Sequence, residues 1–401
     1  VSRVYLAGVG AITPLGDTWA ASCSLLADGR DAIKRVTTFD VTGFPCTVAA
    51  SIERSFTHTQ DRRLALMEVA AEQAWADSGL APAAIDPARL GVFVGAESGR
   101  ATIATVLGLA RAGGPGPGFD HVPFGLEARK LAQSIDASSV SPAAIASKLA
   151  GRYRAEGPVM TISLACASGL AAIVEAARAI RLGLCDIALA GGVGADVDPL
   201  MLVGFGRLSA LSARGISCPF DLRRDGFVVG EGAAMTVLTR EPMAATVAIA
   251  GCARTLDAYH LTKPEPSGDG ARRAMANALA DAGRQVVDVI QAHGTSTALN
   301  DEVEAMAIRS VFGSATDRIF VSSVKGALGH WIAGAGALGF LCAAEAIRSG
   351  IVLPTAGLKE RDPRCDLRHV LGTAIRAPVT AALVNAFAFG GANASVVLEA
   401  A

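Results

Sequence analysis

The chain has 401 residues, 51% of them hydrophobic, 5% aromatic and 18% charged, with a net charge of −1. That length exceeds one ordinary core, so two domains or two fused halves are expected, built on Ala, Val, Leu and Gly packed closely in layers. The balanced charge argues against a nucleic-acid partner, and eight cysteines without a single CxxC pair argue against a disulfide scaffold and for buried thiols in a reducing, cytoplasmic compartment.

In chain order, VYLAGVGAITPLG reads as an apolar strand and turn, without the basic leader and cleavage site of a signal peptide. An amphipathic run near 61–78 predicts a helix, and RLGVFVGAE (89–97) a strand. The turn-rich stretch from 112 to 139, with GGPGPGFDHVPFG, predicts an irregular excursion over the surface. TISLACASGLAAIVEAARAI (161–180) predicts a buried strand, then Cys166, then an alanine-rich helix. GGVGAD (191–196) follows a strand but lacks the spacing and acidic partner of a dinucleotide site. WIAGAGALGFLCAAEAI (331–347) is apolar, but it is short for a membrane span and carries Glu345, so no span is expected. Its glycines 334, 336 and 339 predict a second backbone lying very close. NAFAFGGANAS (385–395) reads as a glycine turn before a final strand.

Strands alternating with helices predict an α/β fold. Three units recur in the same order. VYLAGVGAITPLG matches AIAGCARTLDAYH (248–260), RLGVFVGAESG matches VDVIQAHGTST (287–297), and residues 159–183 match 318–350. A duplicated domain with a pseudo-twofold axis follows, with halves 1–244 and 245–401. Equivalent strand ends would meet near that axis and bring Cys166, His293 and the 325–330 segment together.

Chemistry is expected there. Cys166 sits where a helix should begin, and free amide N–H groups with the helix dipole would stabilise a thiolate. His293, Lys325 and His330 lie at strand-end turns of matching units. A zinc site from Cys166, His293 and His330 lacks a fourth ligand, so no metal is expected. In the 388–391 turn, backbone approach to a reacting carbonyl is the functional reading. A cysteine hydrolase would use one histidine and leave the other and Lys325 without a task.

TISLACASG, PFDLRRDGFVVGEGA (219–233), DAYHLTKPEPSG (257–268), AHGTSTALND (292–301), SSVKGALGH (322–330) and NAFAFGGANAS together resemble the elongating β-ketoacyl-acyl carrier protein synthases. The resemblance spans nearly the whole chain. It implies a thiolase-like fold of two duplicated α/β halves in five αβαβα layers. It also implies a decarboxylative condensation of an acyl group on Cys166 with malonyl thioester, in fatty-acid or specialised polyketide or polyene synthesis.

The family's Cys-His-His set falls on Cys166, His293 and His330, and its lysine and acidic partner on Lys325 and Glu304. Backbone N–H groups of Cys166 and Phe389 would form the oxyanion hole, with Phe389 also the gate. Thr295 and Thr297 would bind the phosphopantetheine arm, and Phe205 would wall the acyl pocket. No cofactor is implied beyond that arm. The implied partner is acyl carrier protein, with Arg62, Arg63, Arg207 and Arg214 as candidate docking cations, and the implied assembly is a homodimer or a heterodimer. A non-catalytic chain-length partner would lack Cys166. The chain departs from the family at Ala388, where glycine is usual and an alanine would either stiffen the gate or change how it moves, and in the 100–140 segment.

Overall fold

A computed structural model describes residues 3–57, 59, 61–81, 85–133 and 140–401. Fourteen strands run in chain order among them. They are β1 (Val4–Ile12), β2 (Ile33–Arg35), β3 (Val48–Ala50), β4 (Leu90–Gly95), β5 (Val159–Ile162), β6 (Ile187–Ala195), β7 (Glu231–Thr239), β8 (Val247–Leu256), β9 (Val289–Gln291), β10 (Phe320–Ser322), β11 (Ile351–Val352), β12 (Ile375–Arg376), β13 (Ala381–Phe387) and β14 (Ala392–Ala400). Ten form one sheet in the order β10-β9-β13-β14-β8-β1-β7-β6-β4-β5, and β2–β3 and β11–β12 form two small antiparallel pairs.

The sheet order reads as a palindrome. β5, β4, β6, β7 and β1 mirror β10, β9, β13, β14 and β8, and β4–β5 and β9–β10 are both parallel pairs. This mirrored order is what a duplicated unit would give. The two sets meet where Val4 and Tyr5 of β1 pair antiparallel with Ile249 and Ala248 of β8.

Helices make the other layers. The Arg62–Ser78 helix covers β1 and β7 on one outer face, and the Asp269–Asp281 helix covers β8 and β14 on the other. Between the sheet halves lie the Ser168–Arg181 helix, against β4 and β6, and the Ala335–Ser349 helix, against β13 and β9, packed on each other. The result is five layers, α-β-α-β-α.

Small residues set the layer spacing. A Cβ on Gly8 of β1 would lie 2.2 Å from the Ala74 carbonyl oxygen, and one on Gly251 of β8 would lie 2.2 Å from that of Ala278. The same close approach thus recurs at equivalent places. In the apolar 331–347 stretch, a Cβ on Gly334 would meet Gly194 N at 2.9 Å, and one on Gly336 would meet Leu170 N at 2.8 Å. At Gly339 the nearest atoms lie at 3.4 Å, an ordinary contact, so two of the three glycines are there for a neighbouring backbone. By length and composition Ile332–Ser349 is apolar enough to cross a membrane, but 78% of it is buried inside the protein. Glu345 receives the Trp19 indole N–H at 3.4 Å.

The 112–139 stretch is not the irregular excursion its glycines suggested. Turns are confined to 114–120, and a helix runs from His121 to Ala132, capped by the Asp120 side chain on Val122 N–H at 2.8 Å. It packs against the preceding Ile103–Gly113 helix. Proline at 123 is tolerated because the first turn has N–H groups without helical partners anyway. Residues 134–139 of the stretch lie outside the described residues.

Candidate active site

The nucleophile's local geometry begins at β5. After Ile162 the chain turns sharply, with Ala165 at φ +46, and the helix starts at Ser168. A left-handed alanine costs roughly 1–2 kcal/mol, so the turn must be held by its surroundings. Ala167 N–H bonds to the Leu164 carbonyl and Ser168 N–H to that of Ala165, both at 3.1 Å. Among the described residues the Cys166 N–H has no partner.

His330 arrives on a crossing of two glycine-bearing segments. Its N–H bonds to the Val228 carbonyl at 2.8 Å and its carbonyl takes Gly230 N–H at 3.0 Å, so GFVVGEG carries its backbone. Its Nε2 lies 3.1 Å from Cys166 Sγ. The Ile332 N–H donates to Nδ1 at 3.3 Å, which assigns the proton to Nε2 and makes the imidazole a donor toward sulfur.

His293 follows β9. Glu304 accepts its N–H and that of Gly294 at 2.8 Å each, while the Lys325 ammonium donates to the His293 carbonyl. The two rings meet edge to face with centroids 5.6 Å apart. One ligand-type atom from each of Cys166, His293 and His330 lies within 4.8 Å of the others. The expected convergence therefore occurs. The separation of 3.1 Å between His330 Nε2 and Cys166 Sγ is that of a hydrogen bond.

Burial sets the charge states. Cys166 is pushed up to about 12 by desolvation, with Lys325 and the Phe389 N–H pulling down less strongly. Burial thus opposes the expected resting thiolate: the helix begins two residues later, at Ser168, and desolvation outweighs Lys325 and the Phe389 N–H. Both histidines are held well below the usual imidazole range, by burial first and by Lys325 next, so both stay neutral. Burial also raises Glu304 to about 7 and lowers Lys325 to about 8.

A cavity of about 360 Å³ leads from the surface to Cys166, His293 and His330, past Thr295, Thr297 and Phe389. Thr295 and Thr297 share a hydrogen bond at 3.0 Å. Phe205 does not reach this cavity. It is buried beside Phe227 at 5.3 Å, and Phe227 meets the His330 ring edge-on at 5.1 Å. Ala388 is extended, with φ −131, and the left-handed positions are Gly390 and Gly391, so alanine strains nothing in this turn. Two docking candidates drop out. Arg62 is bound bidentately to Glu231 at 2.7 Å, and buried Arg63 pairs with Asp61 at 2.7 Å. Arg207 is exposed, and Arg214 is half-exposed with Asp225 at 3.2 Å.

Asp301 escaped the reading of the sequence, although AHGTSTALND contains it. Buried in the first turn of the Ala298–Phe312 helix, it accepts N–H groups from Thr295, Ser296 and Phe220 at 2.8 to 3.1 Å. It thereby fixes the loop after His293. Its position four residues after the capping Thr297 was the available signal.

Residues 1–244 match the family "Beta-ketoacyl synthase, N-terminal domain", and 246–359 match "Beta-ketoacyl synthase, C-terminal domain". A 3-oxoacyl-[acyl-carrier-protein] synthase 2 from Coxiella burnetii is 35% identical, covering 99% of this chain and 98% of that protein. The tetracenomycin polyketide synthase ketoacyl synthase alpha subunit of Streptomyces glaucescens is 33% identical, covering 99% and 96%. Among solved structures, a type II polyketide ketosynthase in complex with its acyl-carrier protein superposes with a TM-score of 0.84 at 30% identity, covering 100% and 99%. A ketosynthase/chain length factor for ishigamide has the same score and identity, covering 99% of each chain. With matches running from residue 1 to residue 359 and relatives covered almost end to end, this chain belongs to the β-ketoacyl synthase family.

Proposed function

We propose that this protein catalyses a decarboxylative Claisen condensation on carrier-bound thioesters. Cys166 sulfur attacks an acyl thioester, the carrier thiol leaves with the proton, and the acyl group rests on sulfur. Malonyl-acyl carrier protein then enters through the same cavity. Its carbon–carboxylate bond breaks, CO₂ departs, and the electron pair becomes an enolate. The His330 Nε2–H and the neutral His293 donate hydrogen bonds to the enolate oxygen. The carbanion attacks the acyl-Cys166 carbonyl, the carbon–sulfur bond breaks, sulfur leaves as thiolate and takes a proton from water to restore the thiol, and 3-oxoacyl-acyl carrier protein is released. The N–H groups of Cys166 and Phe389 take the oxyanion in both acyl transfers. These steps are redox-neutral and require no cofactor beyond the phosphopantetheine arm, for which Thr295 and Thr297 line the way. Lys325 and Glu304 hold His293 by its backbone.

The observation that carries this reading is one buried thiol and two neutral imidazoles within 4.8 Å at the end of one cavity. The same reading takes 1–244 and 245–401 as the functional halves and Phe205, outside the described cavity but in one apolar cluster with Cys166 and Phe227, as part of the wall of an acyl pocket beyond the thiol. The partner is an acyl carrier protein, and the assembly a homodimer or a heterodimer with a chain-length subunit. The eight free thiols fit a reducing cytoplasm. Mass spectrometry after incubation with acyl- and then malonyl-carrier protein tests it. An adduct on Cys166 and a 3-oxoacyl product are expected. Hydrolysis without condensation would point to a thioesterase, and inertness to a non-catalytic subunit.

A further inference from the structure

The turn that bears Cys166 is gripped from outside by Glu97, which follows β4. Its Oε2 accepts the Ser163 hydroxyl at 2.9 Å, and its Oε1 lies 3.4 Å from Ser168 Oγ. Those two serines bracket the turn. Ser168 Oγ accepts Leu164 N–H at 2.8 Å and donates to the Ala165 carbonyl at 2.7 Å, so one hydroxyl ties both sides of the left-handed residue. Ser168 is fully buried. Glu97 is itself anchored, because its carbonyl accepts the Arg63 guanidinium, which Asp61 holds in turn. A continuous set of polar contacts thus runs from Asp61 through Arg63 and Glu97 to Ser163.

We propose that Glu97 is a positioning residue for the nucleophile. By accepting the Ser163 hydroxyl it fixes the chain entering the turn and so keeps Ala165 in its left-handed conformation. Sulfur then stays within reach of His330 Nε2, and the Cys166 N–H stays available to an oxyanion. Ala165 has no conformational reason of its own to remain there. Small displacements of a reacting group are expensive in rate, so the grip is felt in self-acylation. It is not felt in malonyl decarboxylation, which the two histidines serve. This rests on the condensation chemistry proposed above.

The test compares the two half-reactions in Glu97→Ala, Glu97→Gln and Ser163→Ala, alongside thermal unfolding. Glu97→Ala is expected to slow acylation of Cys166 by about tenfold, by the cost of misplacement, and to leave malonyl-carrier decarboxylation within about twofold. Glu97→Gln, which keeps an acceptor for a serine hydroxyl, is expected to recover most of the loss. Should the alanine variant not fold, Ser163→Ala removes only the outer contact and is expected to lose about threefold in acylation alone. Acylation at the wild-type rate in Glu97→Ala, equal losses in both half-reactions, or a glutamine variant no better than alanine would each overturn the assignment. The unmodified protein keeps the two questions separate. If it fails to acylate Cys166, the condensation reading falls; if it acylates and the variants match it, only the role of Glu97 falls.

Discussion

At the residue scale, the sulfur sits beside two uncharged imidazoles. Desolvation pushes the Cys166 thiol up to about 12 beside two imidazoles held neutral, which favours the thiol over a standing thiolate. On the proposed mechanism, sulfur would lose its proton as the thioester arrives. Cys166→Ala should therefore abolish acyl transfer, and mass spectrometry should find no adduct elsewhere. His330 touches sulfur at 3.1 Å, so on the proposed mechanism its removal should disturb both half-reactions. His293→Ala is the cleaner separation. It should cut decarboxylation by about 10²–10³-fold, the usual cost of one oxyanion donor, and change self-acylation far less. Equal losses measured in the two assays would reject that split. Glu304 makes a pH prediction. Its native carboxyl is raised from 4.5 to about 7, so between those values the native state holds a proton that the unfolded chain has lost. Stability from this group is full below the ordinary value and falls as pH rises through 7. Urea unfolding of Glu304→Gln should show less pH dependence between pH 4.5 and 7 than that of the parent. The motifs singled out Cys166, His293, His330 and Lys325 because each is a chemical type near a strand end, whereas Glu304, inside the Ala298–Phe312 helix, came only from the family resemblance. The protonation state was not legible, since it depends on how dry the assembled cavity is. Ala388 illustrates the same limit in the backbone, because only the structure shows which residues of the turn are left-handed.

At the element scale, packing distance decides the role of each glycine in the Ala335–Ser349 helix. Alanine in place of a helical glycine would ordinarily gain about 1 kcal/mol. At Gly336 the new Cβ would lie 2.8 Å from Leu170 N in the facing helix, so Gly336→Ala should destabilise by roughly 1–3 kcal/mol. At Gly339 the contacts are 3.4 Å, and Gly339→Ala should be neutral or stabilising by up to about 1 kcal/mol. Urea midpoints of the two variants moving in the same direction would refute this contrast. The alternation of strands and helices and the repeated units were readable because periodicity and duplication survive in sequence. The His121–Ala132 helix was not, because glycine and proline at 114–118 dominate the local signal. Its packing against the preceding helix is a tertiary contact that no window of sequence records.

At the scale of the whole molecule, the two ends of the ten-stranded sheet are treated differently. The β10 end is covered: Val321 exchanges hydrogen bonds with Arg368 and Val370, and the Arg368 guanidinium stacks on Phe320 at 3.9 Å. Among the described residues no strand lies outside β5, where Val159 and Met160 are 39% and 44% exposed. An open apolar edge is a template for pairing with another chain. A second chain of the same fold, related by a twofold axis, would set β5 antiparallel to its counterpart and bury these side chains. The protein alone should therefore sediment as a dimer. Met160→Lys sets like charges near each other across the axis and should shift it to monomer while leaving its thermal midpoint nearly unchanged. A dimer of undiminished affinity in that variant would place the interface elsewhere. If the unmodified chain is a monomer at all concentrations, the edge is reserved for a different subunit, and restoring the dimer by adding a chain-length subunit becomes the decisive measurement.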